Sequence, residues 1–372
     1  MRSVLALPLI SLALLGACAG DPPTALDRTT IPTTVSQKKD PPVALASVSV
    51  VMRNLDNPRG LAWGPEGALY VAEAGAPTIK GPCATVPRGQ NCYSGTGAIT
   101  RLWKGTQERV ATGLPSHVLV TPTGLSDVTG PHDISFQGKG NAYVTIGWAG
   151  PPAARDALGA LGQWFGATIR VTPNGSFDVV ADIAGFEQAN NPAGGPLDSN
   201  PYGVLAEPGR QFVTDAGGNS ILEVTANGSV SLVATLPPTV TNADAVPTEV
   251  VRGPDGALYV SQLTGVPFVA GNASIWRIVP GAAPQIYRTG FKTITDFDWG
   301  PDGSLYLVQF ASAPTFFGGP GLLIRVPPTG PPVTLNSSLT NPTGVLVGPD
   351  GAIYVSNRGN VAGVGEVLRI IP

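Results

Sequence analysis

Gly253-Pro254-Asp255-Gly256-Ala257-Leu258-Tyr259-Val260 decides the fold. The same octapeptide recurs as Gly64-Pro65-Glu66-Gly67-Ala68-Leu69-Tyr70-Val71, as Gly300-Pro301-Asp302-Gly303-Ser304-Leu305-Tyr306-Leu307 and as Gly348-Pro349-Asp350-Gly351-Ala352-Ile353-Tyr354-Val355. Two worn copies end in Ala142-Tyr143-Val144 and Gln211-Phe212-Val213. Proline sets φ for the first corner of a turn, the acid bonds its own backbone, and glycine accepts φ > 0. The short apolar run that follows carries β-preferring residues. Each copy therefore reads as a tight turn feeding a buried strand.

The aromatic position falls at 70, 143, 212, 259, 306 and 354, the last three intervals being 47, 47 and 48 residues. A second column keeps the same phase: Ile99-Thr100-Arg101-Leu102, Thr168-Ile169-Arg170-Val171, Ile221-Leu222-Glu223-Val224, Ile275-Trp276-Arg277-Ile278, Leu323-Ile324-Arg325-Val326 and Val367-Leu368-Arg369-Ile370. A period of this size marks repeated supersecondary units of the propeller class. The last repeat ends after its third strand at Pro372, while a spare strand, residues 48–52, stands before the first. Placing the spare strand in the gap removes an open edge. The expectation is an all-β, six-bladed propeller over residues 45–372, with four-stranded antiparallel blades and the last blade closed by the N-terminal strand. The repeated Arg101, Arg170, Arg277, Arg325 and Arg369 read as structural ion pairs on third strands.

Forty-eight glycines and 38 prolines would suggest disorder if they lacked a period. Here turns between short strands account for them. Only 13% of residues are charged and the net charge is −3, which leaves no basic footprint for nucleic acid. Residues 1–17 read as an export signal, with Arg2 before an apolar run. Leu15-Gly16-Ala17-Cys18 resembles a lipobox, so Cys18 is expected to carry lipid and anchor an exported, monomeric protein in the bacterial cell envelope; without lipidation it would be secreted. Residues 18–44 form a tether rich in Pro, Thr, Asp and Lys. Cys83 and Cys92 most simply form a local disulfide.

Departures from the repeat locate the functional face. Long connections follow second strands (75–96 and 147–166) and outer strands (114–130 and 184–199), two connection types that emerge on one face of an up-and-down blade. Such loops on a rigid scaffold build binding surfaces. On that face the innermost strands open with Gly130-Pro131-His132-Asp133, Asn200-Pro201-Tyr202-Gly203, Pro247-Thr248-Glu249, Thr295-Asp296 and Asn341-Pro342-Thr343, while Gln262 follows a second strand. His132, Asp133, Glu249, Asp296, Tyr202 and Gln262 are the candidate ligand-binding residues at the channel mouth; carboxylate and amide oxygens there would also suit calcium. Asn57, Asn200 and Asn341 repeat with the unit and read as turn caps. His117 reads as a solvated loop residue. No Gly-x-Ser-x-Gly, His-Glu-x-x-His or Walker-type loop is present.

Asn57-Pro58-Arg59-Gly60-Leu61-Ala62, Phe186-Glu187-Gln188-Ala189-Asn190-Asn191-Pro192, Asp215-Ala216-Gly217-Gly218-Asn219, Ala245-Val246-Pro247-Thr248-Glu249-Val250 and Gln262-Leu263-Thr264-Gly265-Val266-Pro267-Phe268 resemble the ScyD/ScyE family. That resemblance spans about residues 46–372 and implies an exported bacterial propeller related to NHL repeats, with no catalytic residues to carry over. A broader resemblance to six-bladed lactonases and strictosidine-synthase-like proteins implies axial calcium, for which Glu73, Asn200, Asp215 and Asp296 are the nominees. Two functions follow as expectations. The first is a module binding a small molecule, glycan or protein. The second is a calcium-assisted hydrolase, or an enzyme processing an exported metabolite, with His132 and Asp133 as acid and base.

Overall fold

A computed structural model describes residues 47–372 except Lys139, Pro314 and Phe317. The export signal, Cys18 and the tether lie outside the described residues. The described chain forms an all-β fold of seven four-stranded antiparallel sheets. Six follow the repeat. The first comprises Pro58–Trp63, Leu69–Glu73, Gly97–Trp103 and Thr106–Leu114 in sequential order. The last is built from both ends of the described chain: Ser47–Leu55 pairs with Gly365–Ile371, Val48 opposite Ile370 and Met52 opposite Val367. The first strands of these six sheets, Pro58–Trp63, Pro131–Gln137, Pro201–Glu207, Pro247–Arg252, Ile294–Trp299 and Gly344–Val347, touch one another in a closed cycle.

The turn motif is built as its residues dictate. Gly253 N–H reaches Ala257 O at 2.9 Å and Gly256 N–H reaches Gly253 O at 2.9 Å, with Gly256 at φ +79°. The first glycine is required for a different reason. A Cβ there would stand 2.2 Å from the Tyr259 ring, so the tyrosine six residues on packs over bare backbone. The acid between them accepts from Arg277 Nε at 2.6 Å, and the same pair recurs as Arg325–Asp302 and Arg369–Asp350. In the sheet that carries Glu223 instead of arginine the charges are exchanged, and Arg210 on the turn side faces that glutamate at 3.7 Å. The repeated arginines are structural ion pairs.

Apolar residues collect between sheets rather than inside any one. Phe212 and Ile221 of one sheet pack with Val250, Val260 and Trp276 of the next. Tyr306 and Leu323 meet Val345 and Val355 in the same way, and Met52 and Val367 close the cycle onto Leu61 and Val71. Burial on both faces explains why the strands read as nearly continuous apolar runs.

The seventh sheet corrects the expectation that residues 75–96 and 114–130 are loops. Each insertion is a hairpin, Cys83–Val86 with Gly89–Tyr93 and His117–Thr121 with Gly124–Thr129, and the two pair through Gln90 opposite Val120 and Tyr93 opposite His117. Pairing satisfies edges that each hairpin alone would leave open. Cys83 and Cys92 face each other across the first hairpin and are disulfide-bonded. His117 is a second correction. It is fully buried, its Nε2 donates to Trp148 O at 2.9 Å, and its ring lies edge-on to Trp148 and Phe165. Burial holds its pKa down at about 3, so it is neutral. Residues 147–166 and 184–199 contribute the 3-10 helix Pro152–Trp164 and the α-helix Ile183–Asn190, whose N-cap Asp182 accepts Gly185 N–H.

Candidate functional site

The first strands place three residue columns around the axis. Arg59, His132, Tyr202, Thr248, Thr295 and Thr343 form the outer one, and all six line a cavity of about 330 Å³ on the insertion-bearing face. Gly60, Asp133, Gly203, Glu249, Asp296 and Gly344 form the next layer inward. Leu61, Ile134, Val204, Val250, Phe297 and Val345 follow, buried in the cores between sheets.

The outer column is mostly a set of staples. Thr343 Oγ1 donates to Pro58 O at 2.6 Å, Thr248 Oγ1 to Ile294 O at 3.0 Å and Thr295 Oγ1 to Pro342 O at 3.0 Å. His132 does the same work with a ring nitrogen, Nδ1 donating to Pro201 O at 2.9 Å. Because a carbonyl only accepts, the proton of the neutral ring sits on Nδ1 and Nε2 is its acceptor. Burial and the nearby Arg59 cation hold this histidine's pKa down at about 3, so imidazolium is excluded near neutrality. Two members, Arg59 and Tyr202, make no such staple.

The second layer holds three glycines and three acids, because space there is short. A Cβ on Gly60 would lie 1.9 Å from Asp133 Oδ1. Asp133 Oδ2 accepts Val204 N–H at 2.8 Å and Asp296 Oδ2 accepts Val345 N–H at 2.7 Å, each bond crossing to the next sheet. Glu249 accepts Val250 N–H and shares a hydrogen bond with Asp133. Burial pushes Asp133 up to about 7. Burial first, and then repulsion from neighbouring carboxylates, pushes Glu249 and Asp296 well above the ordinary range. Glu249 and Asp296 therefore retain protons at neutral pH, and Asp133 gives its proton up around neutrality.

His132, Tyr202 and Asn200 thus line the cavity, whereas Asp133, Glu249 and Asp296 lie one residue deeper. Gln262 does not face it: its Oε1 accepts Trp276 Nε1–H at 3.0 Å. The four calcium nominees are not gathered at one point, although Asn200 and Asp215 touch; Glu73 and Asp215 are engaged within their own sheets and Asn200 reaches across to a neighbouring one. Glu73 is bound by Arg109 at 2.7 Å, by Asp56 N–H and by the Thr100 hydroxyl. Asp215 accepts Ser199 Oγ–H and the backbone N–H groups of Asn200, Gly217 and Gly218, and Asn200 Oδ1 accepts Trp148 N–H. Asp296 stands apart on the axis. Among the described residues no three His, Cys, Asp or Glu side chains are grouped to hold a metal.

Arg59, Arg88 and Asp127 were not foreseen. Arg59 had a signal, since Asn57-Pro58-Arg59-Gly60 occupies the slot of Asn200-Pro201-Tyr202-Gly203. Arg88 and Asp127 belong to the inserted sheet, form an ion pair at 3.5 Å and line the cavity wall, with no repeat to register them. Val246, Leu263, Phe310 and Phe316 supply apolar wall, the last two stacked at 4.7 Å.

A cycle of antiparallel sheets around a stapled axis, with a cavity over one end, defines a β-propeller. The solved structures similar to this chain are β-propeller proteins. An oxidoreductase described as a glucose dehydrogenase, from Thermus thermophilus, is 17% identical over 87% of this chain and 99% of its own, at a TM-score of 0.52. A second glucose dehydrogenase is 15% identical over 87% and 98%, also at 0.52. Virginiamycin B lyase from Staphylococcus aureus is 15% identical over 88% and 99%, at 0.49. At these identities the likeness concerns the fold alone. No family model and no curated protein matches the sequence.

Proposed function

We propose that six of the seven sheets are blades, that the seventh is an elaboration walling the axial cavity, and that the protein is a binding module for a small molecule held there. The closed cycle of first strands supports the blade count. The observation that carries the binding reading is convergence: all six members of one repeat column meet at a single cavity. Its size, about 330 Å³, falls at the lower end of small-molecule sites. The motif resemblance to the ScyD/ScyE family agrees with a propeller of this kind. Export rests on the sequence of residues 1–17, and lipid attachment on Cys18. The Cys83–Cys92 disulfide supports an oxidising compartment for the folded domain.

The test is a thermal-stability screen of the folded domain against a library of small metabolites, run in parallel on Asn360→Trp. Asn360 lines the cavity, and the indole would fill it. Compounds that raise the melting temperature of the native protein are expected to lose that effect in the variant. Stabilisation that survives the substitution, or a library with no stabilising compound, would sink the reading.

A further inference from the structure

The two members of the cavity column that do not staple the axis point to the chemistry of the ligand. Arg59 Nη2 donates to Val128 O at 3.2 Å, and its Nε is buried without a partner. Among the described residues no carboxylate lies within 4.0 Å of its guanidinium, although the side chain sits on the cavity floor. The Tyr202 hydroxyl makes no hydrogen bond among the described residues, and its ring lies 4.9 Å from that of His132 at 36°. Tyr202 and Asp127 are the ionisable groups close enough to bear on the titration of Arg59, so the phenol stands near the guanidinium. Arg59 and Tyr202 thus bring two donors to one cavity, and neither is ion-paired or stapled to a neighbouring sheet.

An arginine stays charged at a part-buried site, and a guanidinium with no carboxylate within ion-pair distance there favours an incoming anion. A planar guanidinium fork matches a carboxylate in two parallel hydrogen bonds. The neutral His132 ring and the Tyr202 ring give a flat surface beside that fork, and Leu263 with Val246 gives an apolar one. The wall sets a limit on charge. Asp127, Asp198 and Asp244 line it, three carboxylates against the two cations Arg59 and Arg88. A ligand bearing a second negative charge would meet these carboxylates.

We propose that Arg59 and Tyr202 are the recognition point of the axial cavity for a small organic monocarboxylate with an aromatic or apolar body, an assignment that rests on the cavity being a binding site. The carboxylate lies against the Arg59 guanidinium and the Tyr202 hydroxyl, and the body lies against the ring faces and Leu263.

Calorimetric titration of the folded domain with 3-phenylpropionate, 3-phenylpropionamide and phthalate tests this. The monocarboxylate is expected to bind at least tenfold more tightly than its amide and than the dianionic phthalate. Arg59→Gln should abolish that preference, and Tyr202→Phe should weaken carboxylate binding several-fold while leaving the amide unchanged. Arg59→Gln is also expected to melt close to the native protein, since the part-buried guanidinium makes one hydrogen bond, to Val128 O, and no ion pair within 4.0 Å. Equal binding of acid and amide, both lost in Asn360→Trp, would overturn the carboxylate assignment and leave the cavity reading standing. Failure of every probe to bind the native protein, or a large drop in melting temperature for Arg59→Gln, would also overturn it.

Discussion

The acid layer beneath the cavity has a stability cost that depends on pH. Asp133 rises from an ordinary 3.8 to about 7 when the protein folds. Below about pH 4 it is protonated in both states and makes no difference. Between pH 4 and 7 the unfolded chain releases that proton while the native protein keeps it, so stability falls as pH rises and the loss is complete above 7. Asp133 and Glu249 titrate together, so the loss belongs to the pair rather than to either carboxylate. Asp133→Asn removes the titration and keeps an oxygen for Val204 N–H, and the amide can donate to Glu249. His117 and His132, both held near 3, act in the opposite sense, because the unfolded chain takes up protons below about 6.5 that the native protein refuses. Comparing the variant with the native protein cancels the histidines. Urea unfolding midpoints from pH 4 to 8 should show the two proteins nearly equal at pH 4, with the variant ahead by a few kcal/mol at pH 7.5. A constant difference across that range, or a variant that falls behind as pH rises, would refute the assignment of a protonated acid layer.

Thr343→Val removes the hydroxyl that ties the last first-strand segment to Pro58 O, leaving a buried carbonyl unpaired, and should cost about 1–3 kcal/mol in chemical denaturation. An unchanged midpoint would mean that the bond across the chain's closure contributes nothing. Replacing Cys83 and Cys92 together by serine should weaken the inserted sheet by about 2–3 kcal/mol. Hydrogen exchange should speed up in residues 83–93 and 117–129 while the six repeat sheets keep their protection, and loss of protection throughout would show the seventh sheet to be integral to the cycle.

Residue pattern alone determined the repeated unit. Turn chemistry at Gly-Pro-Asp-Gly and the Tyr and Arg columns are local, so they survive as spacing, and the spare strand at residues 48–52 followed from counting. The Arg277–Asp255 type of pair was readable for the same reason, since both members repeat. Only the tertiary structure decided the rest. The inserted hairpins occur once, and their pairing joins residues about 30 apart with no second copy to reveal it, so they passed for loops and His117 passed for solvated. Glu73 and Asp215 looked like metal ligands because a carboxylate's partners are invisible in sequence; in the fold Arg109 and backbone N–H groups engage them. Arg59 and His132 occupy one column and look equally functional there. The difference between them is a hydrogen bond to Pro201 O that His132 makes and an unpaired Nε that Arg59 keeps, and both depend on how neighbouring sheets meet at the axis.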